Sequence, residues 1–298
     1  MPEQYLPPAW SKSGLGDLLD GCAWQWTLKK VFGLDDPGSP ATVRGTAMHA
    51  AIEHHERARL RDHRDHEPDP YPSLTELHDV AVATLHKAAP SVPDELWERH
   101  ETSPGEVEGQ LWDLLTNWRD GILPHLLTMR PVAVEPYFRA DLGGGGRPGH
   151  GYIDEVLWDP GAHQWVVVDH KSAGNFRRWD SYLGHEVEGA MYVAGAALAR
   201  HLPVDGPSVR MEWHVARLLR QSSRTGDLSR IISWEVDPSL AQEVAAEAVR
   251  DAEQMVVEGW LPKNTAWNLC SAKWCPFFDG CEVTGELAPE TMLAGRGG

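Results

Sequence analysis

Apolar residues recur at three- and four-residue intervals through roughly the first 130 positions and alternate with polar ones thereafter, so helices are expected before a sheet. Residues 11–32 read as one capped helix carrying Cys22, and residues 41–64 as a second that sets His49 on one face with Ile52 and Glu53. After a proline-containing break at 67–73, helical patterns over 74–89 and 106–129 suggest a helical insertion over a cleft. Period two begins at 131–142, where Val132, Val134, Tyr137 and Phe138 describe a strand running into the glycine loop 143–148. Two further strands, 151–158 and 164–171, are joined by the turn Asp159-Pro160-Gly161. A helix over 186–202, strands over 210–219 and 230–236, and an amphipathic helix over 240–258 complete the pattern. The expectation is an α/β fold, a mixed central sheet flanked by helices. It would form one elaborated domain over 1–298, with an N-terminal helical region (11–64), a helical insertion (67–130), a catalytic core (131–236) and a C-terminal helix and cysteine region (237–298). No internal repeat interrupts it.

The hairpin of 151–158 and 164–171 concentrates the chemistry. It brings Asp154 beside Asp169 and Lys171, where two carboxylates would hold a hard divalent cation and an ammonium would orient or deprotonate a water. That is equipment for hydrolysing a phosphodiester. An Asp-x-Lys tripeptide alone is a weak signal and reads first as a solvated strand end with a charge pair. Glu135, on the preceding strand, would join the metal shell directly or through water, or face solvent as an ordinary acid.

Four cysteines form the second unusual feature: Cys22 near the start, then Cys270, Cys275 and Cys281. Met1-Pro2-Glu3-Gln4 is neither basic nor followed by an apolar run, so a reducing cytoplasm is the expected setting and disulfides are not. The turn-rich run Cys270-x4-Cys275-x5-Cys281 can wrap a soft metal or an iron-sulfur cluster, with Cys22 as the remote fourth ligand. Zinc competes, although structural zinc sites usually show two close pairs; a one-plus-three division suits a 4Fe-4S cluster better. Three inert core cysteines are the plain alternative.

The order Cys22, Gly45-Thr46-Ala47-Met48-His49, Gly151-Tyr152-Ile153-Asp154, Asp169-His170-Lys171, Glu188-x3-Tyr192 and the three late cysteines resembles the RecB-type nucleases of the PD-(D/E)XK superfamily. Within it the likeness is to the iron-sulfur branch of CRISPR-associated exonucleases, their phage-encoded relatives and the AddB nuclease domain. The resemblance spans nearly the whole chain. It implies a restriction-endonuclease-like core, with magnesium or manganese held by His49, Asp154, Asp169 and the main-chain carbonyl of His170, and with Lys171 positioning the attacking water. It also implies a 4Fe-4S cluster on Cys22, Cys270, Cys275 and Cys281 that staples the two chain ends. The substrate would be a DNA end, first of all a single-stranded one, in recombination and repair, phage DNA processing or CRISPR spacer processing. Protein partners and self-association are compatible with it. One departure stands out: the family usually has Gln where this chain has Glu188, and an ionised carboxylate only accepts hydrogen bonds and repels phosphate. Residues four apart still let Glu188 and Tyr192 share a cleft, where Glu188 would approach a metal ion or pair with an Arg, or else be an ordinary solvated helix residue. The rival from another class is a catalytically silent iron-sulfur module that binds DNA or a partner.

Composition changes the picture in one respect. With 298 residues, 42% of them hydrophobic, the chain can bury a sizeable core, and no apolar run is long enough to cross a membrane. A formal charge of −17 opposes DNA binding at long range, so basic groups have to line the cleft locally. Candidates are Lys12, Lys29, Lys30, Arg44, Arg177, Arg178, Lys263 and Lys273, each individually also an ordinary surface charge. Tryptophan is abundant, and Trp24, Trp26, Trp179 and Trp274 would either stack unpaired bases or fill the core. The histidine-rich run His54-His55-Glu56-Arg57 through His63 and His66 reads as a solvated helix end with incidental nickel affinity.

Overall fold

The computed structural model describes residues 3–34, 36, 38–65, 71–174, 176, 185–202, 209–218, 227–259, 261, 270, 271, 275, 277 and 281. Strand β6 (Gln164–Ala173) carries Val166, Val167 and Val168, and all three are buried, so helices must cover both faces of the sheet around it. Antiparallel β5 (Glu155–Asp159) and β2 (Arg130–Val134) extend the sheet on one side. Parallel β7 (Val209–Arg217) and antiparallel β8 (Ser229–Val236) extend it on the other, giving the order β2-β5-β6-β7-β8. The mixed sheet flanked by helices therefore appears as the periodicity predicted.

Each face has its own core. Val167, Val156, Met211, Trp213 and Val215 pack with α1 (Lys12–Leu19), α8 (His185–Leu198) and α9 (Pro238–Glu258). Val166, Val168, Leu157 and Ala216 pack with α3 (Pro40–Asp65), α4 (Leu74–Ala88) and α6 (Pro104–Gly121). Each fully buried valine contributes about 1.5–3 kcal/mol. Local signals fix several helix ends: α4 begins in a reciprocal Ser73/Glu76 capping box, while α9 starts on the Asp237 carboxylate and stops at left-handed Gly259. Gly195 lets α8 close on the sheet, because a Cβ there would meet the Phe138 ring at 2.5 Å.

The structure divides several segments that periodicity reads as continuous. The expected helix at 11–32 is a two-residue strand, β1 (Trp10–Ser11), followed by α1 and by α2 (Ala23–Lys30). The chain turns at Asp20-Gly21, where a Cβ on Gly21 would stand 3.0 Å from the Asp17 carbonyl, and Cys22 becomes the residue that opens α2. The expected helix at 106–129 stops at Gly121 and resumes as the single turn α7 (Leu123–Leu126) before Met129, and α5 (Asp94–Arg99) precedes it unannounced.

The predicted strands 131–142 and 151–158 each break in the middle. Their distal halves, β3 (Tyr137–Ala140) and β4 (Gly149–Tyr152), pair with each other, and β4 pairs with β1, in a separate sheet of order β1-β4-β3. The two breaks face one another. Glu135 N–H donates to the Asp154 carbonyl at 2.9 Å and Ile153 N–H to the Pro136 carbonyl at 3.2 Å, so the ribbon bends without parting. Pro136 has no N–H to continue the ladder, and Glu135 takes φ 51°, a left-handed value that costs an L residue roughly 1–2 kcal/mol.

The run His54 to Arg59 is also corrected. His55, Glu56 and Arg59 are buried, not solvated: His55 Nδ1 lies 2.8 Å from Glu56, Arg59 pairs with Glu56, and Arg59 Nη2 donates to the carbonyls of Leu126 (2.7 Å) and Met129 (2.9 Å). His66 lies outside the described residues. Among those described, no helix is long and apolar enough to cross a membrane.

Candidate active site

Register builds the site. Glu155 pairs with Val168, so Asp154, one residue before β5, stands beside Asp169 on β6, and the His170 N–H donates to Asp154 Oδ2 at 2.6 Å. From α3, His49 Nδ1 reaches the same Oδ2 at 3.3 Å. Glu135 arrives from the bend in the facing strand. His49, Glu135 and Asp154 each place a donor atom within 4.8 Å of the others, in a pocket whose wall includes Ile52, Glu53, Val134 and His170. One imidazole and two carboxylates facing an open pocket fit a hard divalent cation.

A second group adjoins this one. Asp169 Oδ2 touches the Lys171 ammonium without hydrogen-bond alignment and lies 3.9 Å from Lys12 Nζ. Lys171 Nζ donates to Glu188 Oε1 at 2.8 Å, and Lys12 contacts the same oxygen. Tyr192, one turn after Glu188 on α8, is buried beneath Lys12, whose Nζ sits 4.9 Å from the ring centroid. Glu188 therefore bridges two ammonium groups and is neither a metal-facing acid nor an ordinary solvated residue. Lys12, read from the sequence only as one of eight candidate cleft cations, is a member of the site.

These contacts set the charge states. Burial pushes Asp154 up, but protonated His49 and the His170 N–H outweigh it and hold Asp154 below the usual carboxylate range. Burial alone would lower His49, and Asp154 overrides it, bringing the imidazole up to about 9. Glu135 is pushed up to about 7 by burial and by the charges of Asp154 and Glu53. Asp169 rises to about 6 through burial, with Lys12 and Lys171 pulling against it. Lys171 is raised because Asp169 and Glu188 overcome its burial, so it is a charged donor and not a free base.

The His170 side chain takes the face of β6 opposite Asp169, where its ring lies edge-on to that of His49 with centroids 6.4 Å apart. Its Nε2 lies 3.0 Å from Glu155 Oε1, and burial raises Glu155 while lowering His170 to about 4, which keeps the pair neutral with the carboxyl as donor. The His170 carbonyl shares its strand edge with the N–H that meets Asp154, which puts its main chain beside the acids. Beside it, His125 and His214 direct Nε2 to Glu212 Oε2 at 3.0 and 2.8 Å, and Arg210 holds Oε1 at 2.7 Å, a buried network that the sequence did not announce.

Other candidates are placed elsewhere. Lys29 pairs with Asp17 and Asp36, and Arg44 donates to Gln110 at 3.0 Å and is lowered to about 10 by burial, so neither waits for a phosphate. Trp26 is core, stacked on Trp10 at 5.8 Å, and Trp24 sits edge-on to Phe32. Arg177, Arg178, Trp179, Lys263, Lys273 and Trp274 lie outside the described residues. The Cys275 thiol is pushed up by burial and then by Cys22, Cys270 and Cys281, so all four cysteines share one neighbourhood. Among the described residues, no three of their sulfurs lie within 4.8 Å of one another.

The order of acids, lysine and histidine on this scaffold agrees with a family comparison, in which residues 9–282 match the model of the PD-(D/E)XK nuclease superfamily. The chain belongs to that superfamily. Its members are nucleases that use divalent metals and act on DNA, and the acid–imidazole pocket is the kind of metal site such a nuclease needs. Among solved structures, one similar in outline is a Eubacterium rectale protein provisionally named an exonuclease, 11% identical with a TM-score of 0.48, covering 98% of this chain and 97% of its own. Another, SSO0001, is 13% identical with a TM-score of 0.34, covering 79% and 84%. No curated protein matches the sequence.

Proposed function

We propose that this nuclease is a magnesium- or manganese-dependent DNA exonuclease that acts on ends of single strands, with Asp154, Asp169 and Lys171 as catalytic residues. The observation that carries the reading is the meeting of His49, Glu135 and Asp154 around one pocket with Asp169 and Lys171 beside it. His49, Asp154, Asp169 and the His170 carbonyl would hold the ion, with Glu135 next to them. When bound, it would supply Lewis-acid stabilisation of the charge that builds on the phosphate. Asp154 is ionised in the resting site and ready to ligate, whereas His49 and Glu135 must give up protons first. Lys171 stays charged, so it orients the attacking water or donates to a phosphate oxygen and does not take a proton. Glu188 and Tyr192 fix that ammonium and Lys12 in place.

The exonucleolytic mode and the preference for single strands rest on the resemblance to the iron-sulfur branch. So does a 4Fe-4S cluster on Cys22, Cys270, Cys275 and Cys281, which the shared neighbourhood of the four cysteines supports. A cluster there would join residues before and after the core, closing a long loop. Cleavage of 5′- and 3′-labelled single-stranded, duplex and circular DNA with Mg2+ or Mn2+ tests the function. Wild type should degrade linear single strands from an end, and Asp154→Ala, Asp169→Ala and Lys171→Ala should each abolish cleavage while folding normally. Near-normal cleavage by Asp169→Ala would defeat the assignment.

A further inference from the structure

The outer face of the small sheet has no role in the account so far. On β3 the exposed positions are Tyr137 and Arg139, while Phe138 and Ala140 point inward. On β4 the matching outer positions are His150 and Tyr152. Antiparallel register sets Tyr137 directly opposite Tyr152 and Arg139 directly opposite His150. The outcome is a compact block of two phenols and two basic side chains. Tyr137 and Tyr152 are 46% and 59% exposed, against an inner face that is buried. Their ring centroids are 5.1 Å apart and tilted by 53°, and His150 lies 6.3 Å from Tyr137. Lys30 is close enough to act with burial and Arg139 in holding the His150 pKa below its ordinary value. These four strand positions carry no acid on a chain of formal charge −17.

The block adjoins the active site through the backbone. Tyr152 precedes Asp154 by two residues and Tyr137 follows Glu135 by two, which keeps each pair of Cα atoms within about 7 Å across the bend. That is the reach of one nucleotide step from the pocket that would hold the scissile phosphate. Two adjacent exposed rings offer a face on which unpaired bases stack, and they are flanked by the charge a phosphate backbone needs. A duplex end presents one terminal base pair, its other bases already stacked. An unpaired strand offers a free face at every base.

We propose that Tyr137 and Tyr152 form a stacking platform for unpaired bases of the substrate strand, with Arg139 and Lys30 tracking its phosphates. This deepens the DNA-nuclease reading and rests on it for the identity of the substrate. Binding by itself tests it, so the two can fail separately. Full-length wild type, Tyr137→Ala, Tyr152→Ala, their double variant and the double Tyr→Phe variant are titrated without divalent metal against fluorescent oligo(dT) and an abasic strand of equal length at fixed salt. Wild type should prefer oligo(dT). Each alanine should weaken oligo(dT) binding about tenfold, the double variant should bring the ratio of the two affinities close to one, and the Phe variant should restore the preference. Arg139→Gln should weaken both strands alike and flatten the slope of log K against log salt by about 0.7. An unchanged oligo(dT)-to-abasic ratio in the double alanine variant would overturn the platform even if the enzyme cleaves DNA. Loss of cleavage in wild type, with the platform effects intact, would instead overturn the nuclease reading.

Discussion

Lys12 and Glu188 should be energetically coupled. The pair is partly sheltered, with 25% and 18% of the side chains exposed, and Lys171 shares the same carboxylate. Fully exposed ion pairs contribute under about 1 kcal/mol, whereas stripping one partner from a buried pair costs about 3–5 kcal/mol. Lys12→Met leaves Glu188 with Lys171 as its remaining partner, so an intermediate cost of about 2 kcal/mol is expected. Glu188→Gln strands two ammonium groups beside one carboxylate, Asp169, and should cost a similar amount. If the contact is the main loss in each case, Lys12→Met/Glu188→Gln should cost no more than either single change, giving a coupling energy of about 2 kcal/mol. For a chain of this size each single substitution should lower Tm by about 3 °C. DNA affinity supplies a second readout of opposite sign in the two singles: Glu188→Gln releases Lys12 toward phosphate and tightens binding, and Lys12→Met weakens it. Urea denaturation of the four proteins and DNA titration at low salt measure both. Additive stabilities, with coupling below about 0.3 kcal/mol, would refute the claim that Lys12 compensates Glu188.

Divalent-metal affinity should rise with pH, because His49, held protonated up to about 9, and Glu135, up to about 7, must both lose protons when a cation enters. Mn2+ titration should give a slope of log K against pH near 1 between pH 7 and 9 and steeper below 7; a flat profile would exclude His49 and Glu135 from the metal's surroundings. Cys22→Ala should destabilise the protein about as much as Cys275→Ala, and anaerobic preparations should hold iron and sulfide in near-equal amounts. One zinc without sulfide would remove the cluster while leaving the nuclease assignment standing. Arg59→Met should lower stability by about 3–5 kcal/mol in thermal or urea unfolding, since buried Glu56 loses its counter-charge and the carbonyls of Leu126 and Met129 lose their donor.

Where a signal was local, the sequence disclosed it. The hairpin around Asp159-Pro160-Gly161 was legible because a turn and two alternating runs fix register, and register alone brings Asp154 to Asp169. Where identity depended on distant partners, it did not. Nothing near His55, Glu56 and Arg59 reveals that two carbonyls some seventy residues away bury them. Lys12 looked like a surface lysine, since its partner Glu188 lies far along the chain, beyond the catalytic strands. The strand breaks differ: Pro136 was a visible breaker inside the run 131–142, whereas Ile153-Asp154 leaves the alternation undisturbed, and only pairing shows that each run serves two sheets.

The bend of that ribbon carries a consequence for how the pocket keeps its size. Glu135 and Asp154 are joined by the Glu135 N–H to Asp154 carbonyl hydrogen bond, and the Ile153 to Pro136 bond locks the next rung. The spacing of the two main-chain segments that carry these acids is thus set during strand pairing, whichever rotamers the carboxylates choose. A scaffold of this kind behaves like a caliper closed before any ion arrives, so entry of a cation calls for a proton from Glu135 and for no movement of the backbone.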